Sequence, residues 1–386
     1  MLENGQCKGA ITVNKHEKII LEKLTEDPML SQTELARMLN ITRSSVSVYI
    51  SYLMQKGYIR GRGYVIEDQK NVCVIGSSGV DYQTVMAENQ IFTPLALDDY
   101  DLRVSYGGIC KNIAESLTRF GLRTSCISAV GSDLLGQSLI EECKSAGVDT
   151  DNFMIVPSER TSTYLEIRTL DFNKIILASA NMKLQRLITP EFLSSKQYKL
   201  RHAQLIVVED SLSSETLKYV SSTYSPTLFV CTKPTRIKRY KDFLNQFNGM
   251  VTSLENAAAI LERETPDASD EKSVFRISQQ LHAQLAGPLL VCYGDSHFCY
   301  TDDEASVICV FSDPTPRSAL FSHYRDTVAT GFIRSFINDD DPTALLKAVS
   351  ACREIAAQST AFCSQGLCSE LVEKMVCEKK FHFSYQ

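Results

Sequence analysis

From residue 72 onward, short apolar runs alternate with amphipathic stretches, and this alternation constrains the fold more than any other feature. The apolar runs are 72–76, 125–130, 205–208, 228–231 and 289–292. Continuous apolar runs of this length are typical of strands that are buried on both faces. Apolar residues at helical spacing fill the stretches 110–120, 135–146, 213–221, 274–285 and 342–360. The order predicts an α/β fold, a parallel sheet with helices on both faces, and 162–167 with 174–178 predict an extra hairpin.

A different pattern precedes this part of the chain. Residues 15–25 carry apolar positions at helical spacing, and Ser31 with Glu34 forms a capping box that opens a second helix. Thr42 is the predicted N-cap of a third helix over 43–56, with Val46, Ile50, Leu53 and Met54 inward. Glycines at 57, 61 and 63 then predict a hairpin over 58–66 with an arginine at its tip.

Charge is divided unevenly between these two parts. Residues 1–70 contain ten Lys and Arg against eight Asp and Glu, whereas the remaining residues contain thirty against thirty-eight. Within 31–66 five basic residues face a single acidic one. A basic N-terminal segment on an acidic body indicates that this segment is the part that contacts an anionic polymer.

The N-terminal pattern resembles the winged helix-turn-helix domains of bacterial transcription factors. The resemblance implies a DNA-binding domain over 1–68 that contacts double-stranded DNA through residues 31–66, with the third helix in the major groove. The residues expected to face bases are Arg43, Ser44, Ser45 and Ser47, and those expected to meet phosphates are Arg60 and Arg62. A three-helix protein-binding module is the alternative.

Several motifs carry a second resemblance, which covers most of residues 72–360. They are Gly76-Ser77-Ser78-Gly79-Val80-Asp81, Gly107-Gly108 with Asn112, Ala129-Val130-Gly131-Ser132-Asp133 and Thr161-Ser162-Thr163-Tyr164. Their order is similar to the PfkB, or ribokinase-like, family of sugar and nucleoside kinases, in particular the pseudouridine kinases. The resemblance implies a ribokinase-like domain over 72–375, with a parallel sheet, helices on both faces and a small β lid.

The resemblance also implies a site. Asp326, at the start of a late helix, would be the catalytic base that removes the proton from the acceptor hydroxyl. Asp81, Gly107, Gly108 and Asn112 would bind the acceptor, and ATP and Mg²⁺ would be the cofactors. An ordinary N-cap is the alternative role for Asp326.

The nucleotide side of the site departs from the family pattern. The usual Gly-Ala-Gly before the aspartate is His323-Tyr324-Arg325, so Arg325 is expected to supply positive charge in its place. The glutamate that helps to hold Mg²⁺ falls at Asn256, and the usual glycine-rich turn keeps only Gly294. Arg325, Asn256 and Gly294 are therefore the candidate phosphate and ATP residues, and both cofactors stay open.

Two main functions follow. One is an ATP-dependent kinase for a small sugar or nucleoside, joined to a DNA-binding domain. The other is a regulator whose kinase-like body senses such a ligand and shifts DNA affinity, which requires two states that bind the ligand differently. A scaffold that has lost both ligands is the third alternative.

The remaining features predict a cytoplasmic protein without a metal site. The thirteen cysteines include no C-x-x-C pair and mostly sit in apolar runs, which favours buried thiols over disulfides or zinc. No apolar run is long enough to cross a membrane, and the first residues lack an apolar secretion signal. A homodimer is expected by analogy with winged-helix regulators.

Overall fold

The computed structural model describes residues 14–27, 30–55, 58–59, 71–86, 102–169, 175–181, 183–294, 296–311, 324–358 and 367–386. The chain divides into two compact units, Met1–Lys70 and Asn71–Gln386. The second unit continues past the expected end at 375, because the strand Phe381–Tyr385 pairs with the main sheet. Met1–Lys70 is the N-terminal unit, and Asn71–Gln386 is the second unit.

The N-terminal unit contains three helices, α1 (Lys15–Glu26), α2 (Gln32–Leu39) and α3 (Arg43–Gln55). The predicted capping box is present: the Glu34 N–H donates to Ser31 Oγ at 3.2 Å, and the Ser31 N–H donates to Glu34 Oε2 at 2.7 Å. The predicted inner face of α3 is correct except at its end, since Met54 is 40% exposed. Apart from residues 58 and 59, the predicted hairpin lies outside the described residues, as do Arg60 and Arg62.

A nine-stranded sheet forms the centre of the second unit. Its strands are β1 (Asn71–Ile75), β4 (Arg123–Ile127), β9 (Leu205–Glu209), β10 (Thr227–Val230), β11 (Met250–Ser253), β12 (Leu289–Tyr293), β13 (His297–Thr301), β14 (Ser306–Phe311) and β15 (Phe381–Tyr385). The spatial order is β15-β14-β13-β12-β11-β10-β9-β1-β4. The strands from β4 to β12 are parallel, and β13, β14 and β15 are antiparallel to their neighbours.

Two smaller sheets complete the strand set. A four-stranded sheet has the order β3-β2-β7-β8, and a two-stranded sheet joins β5 to β6. Their strands are β2 (Gly79–Met86), β3 (Arg103–Gly107), β5 (Ala129–Gly131), β6 (Met154–Val156), β7 (Thr163–Thr169) and β8 (Ile175–Asn181). The antiparallel pair β7–β8 confirms the predicted hairpin, and its sheet is the expected small lid.

Helices cover both faces of the main sheet, as the sequence predicts. They are α4 (Ile109–Arg119), α5 (Leu134–Ser145), α6 (Pro190–Ser194), α7 (Gln197–Arg201), α8 (Ser214–Thr223), α9 (Leu254–Ile260), α10 (Glu271–His282), α11 (Tyr324–Asn338), α12 (Pro342–Ala357) and α13 (Ser369–Glu378). Strand β1 shows the two faces, since Cys73 and Ile75 join one core cluster and Val72 and Val74 join the other. One core packs against α8 to α10 and the other against α4, α5, α11 and α12.

The cysteines of the described segments agree with the predicted buried thiols. Eleven are free, and nine of these are buried. Within the same segments, no helix combines the length and the apolar character needed to cross a membrane.

Candidate functional site

A cavity opens at the carboxyl ends of β1, β9 and β10, which meet at one edge because these strands are parallel. The strand ends contribute Ser77, Ser211, Thr232 and Lys233. The lid contributes Gly79–Asp81 and Ser162–Tyr164, and α4 and α11 contribute their first residues. The cavity therefore lies where open parallel sheets ordinarily bind ligands.

Asp326 lies in the first turn of α11 and is buried, with 3% exposure. Its Oδ2 accepts a hydrogen bond from Asn112 Nδ2 in α4 at 2.8 Å. Burial raises the pKa of Asp326 to about 7, although the Asn112 hydrogen bond and the charge of Arg325 act in the opposite direction. The structure thus brings together two predicted site residues that are far apart in sequence, and it gives the carboxyl group a pKa suited to proton transfer near neutral pH.

Asp81 extends from β2 into the same cavity and is also buried. Burial raises its pKa to about 7, and the negative charge of Asp326 adds to the effect while Lys111 opposes it. Asp81 Oδ2 and Asn112 Oδ1 are buried and have no hydrogen-bond partner among the described residues. Buried acceptors without donors are costly, so Asp81 Oδ2, which belongs to the cavity lining, fits a ligand that carries hydroxyl groups, whereas Asn112 and Gly107 are not among the lining residues.

The two predicted glycines allow the backbone to come close to these groups. A Cβ at Gly107 would lie 1.9 Å from Asp81 Oδ2, so any side chain there would displace the carboxylate. Gly108 is the N-cap of α4 with φ +102°, and a Cβ there would lie 2.6 Å from the backbone oxygen of Ser77. Both positions require glycine for physical reasons.

Two buried carboxylates at the end of β9 brace the strand ends, and sequence reasoning missed both. Glu209 accepts from the Ser77 N–H at 2.6 Å and from the Ser211 N–H at 2.8 Å. Burial and the neighbouring charge of Asp210 raise the pKa of Glu209. Glu209 therefore ties the loop after β1 to the end of β9.

Asp210 holds the segment that follows β10. Its Oδ2 accepts from the N–H groups of Thr232 at 3.0 Å and Lys233 at 2.8 Å. Its Oδ1 accepts from Thr232 Oγ1 at 2.8 Å and from the Arg236 guanidinium at 2.9 Å. One fully buried carboxylate thus fixes the backbone that carries Lys233 and Arg236.

Three cationic side chains line the cavity, namely Lys233, Arg236 and Arg325, here called the cationic cluster. The Arg325 guanidinium donates to the backbone oxygen of Thr232 at 3.2 Å, which connects the start of α11 to the end of β10. Only Arg325 was predicted. Lys233 and Arg236 come shortly after the predicted buried strand 228–231. Their position near the end of a strand is the sequence feature that could have indicated a role in the site.

The other two candidate nucleotide residues lie elsewhere on the same edge of the sheet. Asn256, in the first turn of α9, donates from Nδ2 to the backbone oxygen of Cys231 at 3.4 Å. Gly294 has φ +55° in the turn after β12. Neither is among the residues that line the cavity.

The family resemblance implies ATP and Mg²⁺ as cofactors. The cationic cluster fits the phosphate chain of a nucleotide. The amide of Asn256 bonds internally, and no three metal-ligating side chains come together within the described segments, so these residues form no all-protein cage for Mg²⁺, which at such sites is held mainly by phosphate oxygens and water. We therefore assign no step to Mg²⁺.

A shallow groove on the N-terminal unit is lined by α3 and the start of α2. It contains three of the four residues expected to face bases, and its lining is Gln32, Arg43, Ser44, Ser47, Val48, Ser51 and Tyr52. Ser45 is not part of this lining: its Oγ lies 2.8 Å from Thr42 Oγ1, and its N–H donates to the same oxygen at 3.1 Å, as the predicted N-cap role of Thr42 requires. Sequence reasoning missed Val48 and Tyr52, which are each about half exposed.

Comparison with known proteins agrees with the fold. Residues 69–310 match the pfkB family of carbohydrate kinases, and residues 13–60 match a winged helix-turn-helix DNA-binding family. YeiI, an uncharacterized sugar kinase of Escherichia coli K12, is 31% identical over 306 residues, covering 78% of this chain and 80% of that protein. Pseudouridine kinase from the same organism is 26% identical over 242 residues, covering 61% and 74%.

A carbohydrate kinase from Agrobacterium tumefaciens has a similar fold, with a TM-score of 0.65 at 20% identity. The match covers 82% of this chain and all of that one. Fold and site together define a ribokinase-like domain preceded by a winged helix-turn-helix domain. The chain belongs to the PfkB family of carbohydrate kinases.

Proposed function

We propose that the second unit transfers a phosphoryl group from ATP to a hydroxyl group of a small sugar or nucleoside. The observation that carries this proposal is the grouping of Asp326, Asp81 and Asn112. Asp326 is buried and accepts from Asn112, which suits a base, and Asp81 Oδ2 is a buried acceptor for which the described residues provide no donor. A polyhydroxylated acceptor would supply a donor to Asp81 Oδ2 and place another hydroxyl next to Asp326, since both residues line the cavity.

In this reaction the oxygen of the acceptor hydroxyl attacks the γ-phosphorus of ATP, and Asp326 accepts the proton of that hydroxyl. The bond between that phosphorus and the bridging oxygen of ADP breaks, and the electron pair leaves with ADP. Asn112 orients the Asp326 carboxylate through the 2.8 Å hydrogen bond. Lys233, Arg236 and Arg325 would hold phosphate oxygens, because charge stabilisation supplies most of the catalysis in phosphoryl transfer.

The relatives narrow the choice of acceptor to be tested. YeiI is named a sugar kinase, and the second relative is named a pseudouridine kinase. We therefore propose a pseudouridine-like nucleoside or a related sugar as the acceptor.

A direct test is a transfer assay with the full chain, γ-labelled ATP and Mg²⁺, and pseudouridine, uridine or ribose as acceptor. Labelled phosphate is expected on one of these acceptors, in step with ADP formation. ADP and free phosphate without labelled acceptor, or no consumption of ATP with any acceptor, would argue against the proposal. Calorimetry of Mg·ATP on the same sample distinguishes a missing nucleotide site from a missing acceptor.

Gly107→Ala should weaken acceptor binding by about tenfold or more. The new Cβ would meet Asp81 Oδ2 at 1.9 Å, so the carboxylate must leave its position, and a hydrogen bond to a charged group is lost. Calorimetry with the acceptor identified above measures the change.

Gly121→Ala is the matched control for Gly107→Ala. Gly121 has φ +81°, so alanine strains the backbone there, but nothing lies within 4 Å of the new Cβ. This variant should lose some stability and keep its affinity for the acceptor. Equal affinity losses in both variants would mean that Gly107 has no specific role at Asp81.

A second function, DNA binding that responds to the ligand, is favoured by the groove along α3. Serine hydroxyls there can bond to base edges or phosphates, and Val48 and Tyr52 offer apolar contact of the kind thymine methyl groups accept. We propose that this groove binds double-stranded DNA. DNA affinity should be measured with and without acceptor and ATP, and a ratio of about 5 to 150 would indicate coupling between the two sites.

Arg43→Ala should weaken binding to a DNA fragment from upstream of the gene by about tenfold. Because Arg43 is expected to face a base, the slope of log affinity against log salt concentration should change by less than the value of about 0.9 expected for the loss of one phosphate contact. Fluorescence anisotropy at several salt concentrations measures both quantities.

Lys23→Ala removes the same charge from α1, where Lys23 pairs with Glu26 at 2.7 Å, and serves as the matched control. Its affinity should stay close to that of the unmodified chain. If the two variants lose affinity equally, net charge rather than the groove determines binding.

A further inference from the structure

The cationic cluster brings three positively charged side chains to one side of the cavity. Arg236 is paired with Asp210, which is fully buried and is already used by three other donors. The Lys233 ammonium makes no hydrogen bond or ion pair with any described residue. Partial burial and the positive charge of Arg236 lower the pKa of Lys233. Like charges that a protein holds side by side at a cavity favour an anionic ligand.

Hydrogen bonds within the protein hold the arginines of the cationic cluster and the backbone of Lys233 in place. Asp210 fixes the backbone of Thr232 and Lys233 through two N–H groups and fixes the guanidinium of Arg236 through a third contact. Arg325 is held to the same segment through the backbone oxygen of Thr232. The guanidinium groups of Arg236 and Arg325, and the backbone that carries Lys233, are thus positioned before any ligand arrives, which reduces the cost of binding.

The ligand chemistry follows from what else lines the cavity. Arginine suits planar or bidentate contacts with phosphate oxygens, and lysine acts as a mobile point charge. The unpartnered Asp81 Oδ2 belongs to the same cavity and requires a donor, which a hydroxyl supplies. A molecule with a phosphate at one end and hydroxyls at the other would use both sets of groups.

We propose that the cationic cluster is a subsite for a phosphate monoester. The cavity then binds a phosphorylated sugar or nucleoside without any nucleoside triphosphate. This inference rests on the proposed function for the hydroxyl-binding half of the cavity. It adds that phosphorylated sugars or nucleosides, which are the class of the reaction product, bind more tightly than the unphosphorylated acceptors. The second unit would then report the level of a phosphorylated metabolite, whatever its own turnover.

The test uses calorimetry on the full chain without ATP and without Mg²⁺. The probes are ribose 5-phosphate and uridine 5′-monophosphate, compared with ribose and uridine and with inorganic phosphate. At least one phosphorylated probe should bind about tenfold or more tightly than its parent, because it gains charge-assisted contacts. Equal affinity of phosphorylated and parent compounds, or no binding of any phosphorylated probe, would overturn the inference. Inorganic phosphate alone binding as tightly as the esters would also overturn it.

Lys233→Met should remove most of the difference between ester and parent, while Lys233→Arg should retain it. Lys238→Met is the matched control, because Lys238 is exposed in the same 3₁₀ helix (Pro234–Arg239) and does not line the cavity. An unchanged preference in Lys233→Met would remove Lys233 from the subsite. Because no transfer is measured, a chain without kinase activity can still pass this test, and an active kinase can still fail it.

Discussion

Asp326→Asn is expected to reduce phosphoryl transfer by about 10²- to 10⁴-fold, the usual contribution of a general base. Asparagine has nearly the same shape, and its side-chain oxygen can still accept the hydrogen bond from Asn112. Acceptor binding should therefore be retained while turnover is lost. Transfer measured at saturating acceptor, together with calorimetry, separates the two quantities.

The pH dependence provides the control for this variant. Because only the ionised carboxylate accepts a proton, the rate for the unmodified chain should rise as the pH increases through about 7, where burial places the pKa values of Asp326 and Asp81. The profile belongs to the pair, since the two carboxylates interact. A rate that does not change between pH 6 and pH 8, or transfer by the variant at the unmodified rate, would contradict the assignment of Asp326 as the base.

The contribution of Asp326 to the free energy of unfolding should fall as the pH rises, whereas the transfer rate should increase. The folded-state pKa of Asp326 lies above its unfolded value, so its contribution is present at low pH and is lost as the pH rises through about 7. Above pH 7 the unmodified chain therefore carries a buried charge that Asp326→Asn removes. Urea unfolding at pH 5 and pH 8 should show that the variant gains stability, relative to the unmodified chain, at the higher pH.

Asp210→Ala is expected to destabilise the second unit by about 3–5 kcal/mol, as expected when one partner of a buried pair is removed. The change leaves the Arg236 guanidinium, which is 17% exposed, without its carboxylate. It also leaves the N–H groups of Thr232 and Lys233 without their acceptor. Urea unfolding followed by a probe in the second unit measures the loss.

Two further variants define what this loss means. Asp210→Asn keeps one acceptor oxygen and should fall between alanine and the unmodified chain. Asp267→Ala removes an exposed aspartate whose bonds are local, to Ser269, and should change stability little. Similar losses for Asp210→Ala and Asp267→Ala would show that the contacts of Asp210 contribute no more than an ordinary surface turn.

Apolar patterning predicted five of the nine main-sheet strands, β1, β4, β9, β10 and β12, because they are buried along almost their whole length. The strands β11, β13 and β14 are largely buried too, but they were not among the predicted runs. The edge strand β15 was missed because its residues are only partly buried or exposed, so no continuous apolar run marks it. The lid strand β2 was missed for a related reason. It begins at Gly79 and mixes polar with apolar residues, and its pairing with β3 and β7 depends on distant segments.

The site was predicted only where a family resemblance connected distant positions. The Asn112–Asp326 contact joins residues 214 positions apart, and no local pattern indicates such a pair. Lys233 and Arg236 escaped prediction because a polar segment with a proline after a strand is typical of an ordinary loop. Their role depends on the order of strands in the sheet, which places the end of β10 beside β9 and near the start of α11.

The strand order also has a consequence for how the protein is synthesised. From β10 to β15, every strand of the main sheet pairs with the strand that directly precedes it in this sheet along the chain, and β9 pairs with β1, which was made earlier still. When each of these strands leaves the ribosome, the strand with which it pairs has therefore already been synthesised. The sheet can grow in one direction during translation, and the exposed edge at any moment is the one that the next strand will cover.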